Sequence, residues 1–114
     1  MINVHVIEDF DAEALAELRA QLDPHVHLTQ GELPADTHVI IGGRPMLEQV
    51  LSCPNLRAVI VPWAGVPDVT QALLREFPHI AVHNLHHNAA ATAEYAIALL
   101  MAAAKFIVPV DRRL

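Results

Sequence analysis

The residues of this sequence best placed to do chemistry follow short apolar runs. Glu8-Asp9 follows the first run, Gly42-Gly43-Arg44 the third and Pro62-Trp63-Ala64-Gly65-Val66 the fourth. Three of the four glycines, Gly42, Gly43 and Gly65, fall in the last two stretches. There a missing Cβ lets the backbone approach a ligand or take a positive φ, although tight turns after strands would use the same residues. The glycine spacing yields neither GxGxxG nor GxxxxGK(S/T), so no standard phosphate cradle for a dinucleotide or a nucleoside triphosphate is encoded. Eight histidines are many for 114 residues. His83, His86 and His87 are close in sequence, and His25 and His27 share one face of an extended run. A closed metal centre needs four convergent ligands. With no HExxH and no cysteine beside them, these read as surface or loop histidines, and no metal is expected. The only serine, Ser52, ends a helical stretch with no nucleophile elbow around it, which leaves no catalytic triad.

Positioning those loops requires an alternation of strands and helices. Strands are expected over Ile2 to Ile7, His25 to Thr29, Thr37 to Ile41, Arg57 to Val61 and Ile80 to His83. Helices are expected over Asp11 to Leu22, with Leu15, Leu18 and Leu22 inward and Asp9 or Asp11 as cap, then over Pro45 to Leu51 and Pro67 to Phe77. Such an order implies right-handed crossovers and a flavodoxin-like, doubly wound five-stranded parallel sheet of order 2-1-3-4-5. Ligands of such sheets sit beyond the carboxyl ends of the strands, where strand order reverses, and this rule selects the three loops named above.

The last element is a long apolar helix, Asn88 to about Ile107, with Asn88 as N-cap. One stripe is Ala89, Ala93, Ala96, Leu100, Ala103, Ile107; another is Tyr95, Leu99, Ala102, Phe106. A helix apolar on every side must be buried all round, and its own sheet can cover one side only. A compact domain of this length has a radius of gyration of roughly 13 Å, whereas twenty helical residues span about 30 Å. The helix is therefore expected to cross the whole body, with its remaining surface covered by a further domain or a second copy. Glu94 would suit the positive end of the helix dipole, and its burial there would be costly without a partner.

Composition narrows the partners. Seven basic and thirteen acidic side chains give a formal charge of −6, which disfavours nucleic acid and points to a small molecule or a protein. The single cysteine, Cys53, forms no intrachain bridge and suits a reducing compartment. The N-terminus lacks the basic lead of a signal peptide. The longest apolar run, Ala96 to Ala104, is too short to span a membrane. A cytoplasmic protein is the expectation.

Two owners of this topology do not fit. A response-regulator receiver needs an Asp ending the third strand and a Lys ending the fifth, where this chain has Gly42 and Asn84. A flavodoxin needs a hydroxyl-rich phosphate loop after the first strand, and the acids of Glu8 to Glu13 would repel a phosphate. Residues 54 to 114, by contrast, resemble the substrate domain of the D-isomer-specific 2-hydroxyacid dehydrogenase family as it leads into the nucleotide domain. The matching features, in order, are Pro54-Asn55-Leu56-Arg57 before a strand, the Ala64-Gly65-Val66 turn, His83-Asn84 ending the fifth strand, Asn88-Ala89 then Ala93-Glu94 opening an Ala/Leu-rich helix, and Asp111-Arg112-Arg113-Leu114. The first fifty residues match in topology alone.

The resemblance implies that the amides of Ala64, Gly65 and Val66 hold a substrate carboxylate, with Gly43 and Arg44 as a neighbouring wall and Trp63 setting its size. Thr92 would face the cofactor domain, near the nicotinamide. Family members commonly carry Asp where this chain has Pro67, and Trp63 narrows the turn, which implies an atypical substrate. In the family the NAD or NADP, the catalytic base and the substrate-clamping Arg come from the nucleotide domain, so no catalytic residue and no cofactor site is expected in these 114 residues. The chain then reads as the N-terminal substrate segment of a two-domain enzyme, inactive alone, whose reading frame continues past Leu114 and which forms a homodimer through residues 88–107. The alternative is a free-standing, non-catalytic module that binds a small anion at the same loops and dimerises through the same helix.

Overall fold

The computed structural model describes residues 1–85, 88–105 and 111–113. Its elements are β1 (Ile2–Val6), α1 (Ala12–Gln21), β2 (Val26–Gln30), β3 (Val39–Ile41), α2 (Leu47–Ser52), β4 (Ala58–Ile60), α3 (Asp68–Leu74), β5 (Ala81–His83) and α4 (Ala89–Ala104). The five strands form one sheet in the order β2-β1-β3-β4-β5, every pair parallel, as the alternation of elements requires. Helix α1 opens on Asp11, whose Oδ1 accepts the Ala14 amide at 2.7 Å and satisfies an otherwise unpaired first-turn donor. Pro45, expected within the first turn of α2, instead precedes the cap residue Met46. Gln49 Oε1 takes the Met46 amide at 2.8 Å, and this reach-back fixes where the helix starts.

The two sheet faces carry different cores. Ile40, Val59 and Val61 pack with Val50 and Cys53 of the α2 region and Leu74 of α3. On the other face Val6 and Leu28 pack with Leu15 of α1, flanked by Leu18, Leu22, Phe10 and Ile41. The neighbours Ile40 and Ile41 thus serve opposite cores, as alternation along a strand buried on both faces demands.

Among the described residues one histidine lies in this core. His5, in β1 between β2 and β3, is 1% exposed. It sits directly opposite Thr29, with Nδ1 at 2.7 Å from Thr29 Oγ1. Burial lowers its pKa below the usual 6.5, and a backbone hydrogen bond to Gly31 opposes this more weakly. A histidine held neutral in the fold but free to protonate when unfolded contributes stability above its unfolded pKa and loses it as pH falls. The unfolding free energy, and with it the urea midpoint, is therefore expected to fall between pH 7 and pH 5.5. In His5→Asn that pH slope should flatten; an unchanged slope would show that His5 is not its source.

Helix α4 departs from expectation. Its sixteen residues were to cross the body with one side on the sheet, yet none is buried, and all but the partly exposed Ala102 lie open. Its cap, Asn88, makes no side-chain hydrogen bond to the first turn, and Glu94 is exposed, so no buried charge arises. Strand β5 is exposed at every residue. The radius of gyration is 19.6 Å, against roughly 13 Å for a compact body of this length. Phe106 and Ile107, the expected end of the helix, lie outside the described residues. Within the described residues no helix is long and apolar enough to cross a membrane.

Candidate functional site

The loops after β1, β3 and β4 meet at the carboxyl edge of the sheet, at its switch in strand order. Backbone bonds carry the ladder past the strand ends and fix those loops: Ile7 donates to Ile41 O at 3.0 Å, Gly42 to Ile60 O at 2.9 Å and Val61 to His83 O at 2.7 Å. Between them opens a cleft of about 360 Å³ lined by Ile7, Glu8, Arg44, Met46, Gln49 and Trp63.

Gly42 and Gly43 are required here by close approach. A Cβ on Gly42 would overlap the Ile7 side chain, and one on Gly43 would fall on the Trp63 ring. Neither takes a positive φ; of the four glycines only Gly31 does, at 101°. The indole lies against the bare face of Gly43, and the Arg44 guanidinium stands over the ring at 5.2 Å from its centroid, a cation–π arrangement. Gly43 is gripped from both sides. Its amide donates to Glu8 Oε1 at 2.8 Å, and its carbonyl accepts from Thr70 Oγ1 at 2.6 Å. Thr70 reaches it from α3 and is 1% exposed. Thr70→Val should leave that buried carbonyl unpaired and lower stability by about 1–2 kcal/mol, read as a shifted urea midpoint at constant slope; an unmoved midpoint would mean the grip carries no weight.

The turn after β4 has the opposite polarity. Trp63 O accepts from the Leu85 amide at 3.0 Å, Ala64 O from Asn84 Nδ2 at 2.6 Å and Val66 O from Gln71 Nε2 at 2.9 Å. With those carbonyls tied back, the amides of Ala64, Gly65 and Val66 donate to no acceptor among the described residues, and Ala64 and Gly65 are exposed. A Cβ on Gly65 would meet nothing within 4 Å, so the space beside this turn is open. Successive unclaimed amides at a strand end form an anion-binding concavity.

The structure thus brings Arg44 and Trp63 into one cleft over Gly43, with Ala64, Gly65 and Val66 following Trp63 on the same loop. Thr92, in the first turn of α4, does not line the cleft. Met46, Gln49 and Thr70 join the site without having stood out in the sequence. Their signal was only that two follow the Gly-Gly-Arg loop directly and the third begins the helix after the Trp63 loop. His25 is exposed and pairs with Asp23 at 2.8 Å, an interaction that holds the Asp23 carboxyl below its usual range. Within the described residues no three His, Cys, Asp or Glu side chains converge on a metal-sized position; His86 and His87 lie outside those residues. Ile7 and Trp63 fill the space over Gly42 and Gly43, so these two glycines leave no bare backbone for a phosphate to approach. Compared with known proteins, the chain matches no family model and no curated protein.

Proposed function

We propose that this chain is the substrate-binding segment of an NAD(P)-dependent D-2-hydroxyacid dehydrogenase, holding a small 2-hydroxy or 2-oxo acid while hydride transfer is carried out by a nucleotide-binding domain outside these residues. One observation carries the reading: the Ala64-Gly65-Val66 turn offers unclaimed amides to a carboxylate, beside a guanidinium stacked on Trp63. Oxidising a 2-hydroxy acid also needs a hydride acceptor and a positioned base near neutral pKa. On this reading both come from that nucleotide-binding domain, and the cleft binds and orients the acid. The exposed apolar α4 supports the same assignment, because such a surface is built to be covered, by the nucleotide domain or by a second copy in a homodimer.

Trp63 is the only tryptophan and lines the cleft, so its emission reports occupancy. Titrating oxamate, an analogue of a 2-oxo acid, is expected to change that emission with saturation, and titrating NADH is expected to leave it without a saturable change. Tight NADH binding by the chain alone, or an emission indifferent to oxamate, would overturn the proposal.

A further inference from the structure

Building on the assignment of this cleft to a small 2-hydroxy acid, we infer that Glu8 acts as its charge filter, admitting acids with one carboxylate and a hydrogen-bond-donating remainder and turning away those with a second carboxylate or a phosphate. Glu8 is partly buried at the end of β1 and forms part of the cleft wall. Its Oε1 is fixed by the Gly43 amide at 2.8 Å, so the carboxylate cannot swing into solvent without uncapping a buried donor. Among the described residues the sole ion pair is His25 with Asp23. Glu8 and Arg44 line the same cleft and make no direct ion pair with each other. Glu8 also walls a second cleft of about 250 Å³ with Asp9, and no basic side chain lines that one. The Ile7 side of the site is thus negative, and its only lining cation, Arg44, stands over Trp63.

In a space of about 360 Å³ that Glu8 itself lines, a second anionic group on a bound acid would meet the repulsion of the Glu8 carboxylate. A hydroxyl or an amine in that position would instead donate to the free carboxylate oxygen. Glu8 occupies the Gly43 amide as well, which withdraws that donor from a bound anion. The ligand class that follows is a monocarboxylate whose far end donates a hydrogen bond.

The test compares D-glycerate with D-malate, of similar reach but bearing a second carboxylate, on the 114-residue chain and on Glu8→Gln. Gln keeps an oxygen for the Gly43 amide and removes only the charge. Binding is read from the NMR signals of the Gly65 and Val66 amides and the Trp63 indole N–H. In the unsubstituted chain glycerate should bind at least about tenfold more tightly than malate, the effect of a partly screened like-charge contact. In Glu8→Gln the gap should shrink to about threefold or less through tighter malate binding. Equal response to the two acids in the unsubstituted chain overturns the filter whatever the variant does, and leaves the carboxylate site standing. No response to either acid sinks that site and the filter with it.

Discussion

Replacing Gly43 with valine is expected to expel the Trp63 indole from the cleft and to lower the unfolding free energy by about 2–3 kcal/mol, the cost of overpacking a fitted contact. The substituted Cβ would fall on the Cζ3, Cη2 and Cε3 edge of the ring, so ring and side chain cannot share the space. Gly43 cannot retreat, because Glu8 and Thr70 hold its amide and its carbonyl. The ring is 39% exposed and has a way out into solvent. Once displaced, it leaves the Arg44 guanidinium without its stacking surface. The measurements are a red-shifted tryptophan emission, a lower urea midpoint and loss of the oxamate response. An emission and midpoint indistinguishable from those of the parent chain would mean that the ring does not rest on Gly43.

The second large effect concerns α4. A protein of 12.5 kDa exposes about 6,200 Å² when compact, and this chain exposes 8152 Å², an excess of roughly 2,000 Å². Much of that excess is apolar, since Tyr95, Ile97, Leu99, Leu100 and Met101 are each 54–68% exposed. Stable interfaces bury about 800 Å² on each partner, so an excess of this size is enough for one. The chain is expected to self-associate at micromolar concentrations. The double substitution Ile97→Glu, Leu100→Lys places an attractive pair three residues apart, which preserves the helix while removing two apolar anchors. Association should weaken by at least about a hundredfold, on the scale of two interface anchors lost together. Light scattering should then give the 12.5 kDa monomer. If the parent chain is itself monomeric at high concentration, α4 has no affinity for a second copy.

Much of the architecture was legible residue by residue. The short β-branched apolar runs, the Leu15, Leu18, Leu22 stripe and an Asp cap at 9 or 11, which the structure places at Asp11, are local signals, written within a few residues of where they act. Those signals, with the handedness of crossovers, led to the parallel sheet, and its flavodoxin-like order 2-1-3-4-5 then selected the three loops that hold the cleft. The apolarity of α4 was equally plain from its composition.

Tertiary structure decided what sequence spacing could not carry. Gly43 meets Glu8 across 35 positions and Thr70 across 27, contacts that exist only because β1, β3 and α3 converge at one edge. The same convergence lays Trp63 on Gly43, so that glycines open to a ligand by type are closed by a side chain in fact. His5, one of eight histidines by composition, is singled out by its place in a strand paired on both edges, between β2 and β3. The path of α4 away from the sheet was likewise invisible. An apolar helix declares in its own residues that it needs covering, but which surface covers it depends on where the chain leaves the fold.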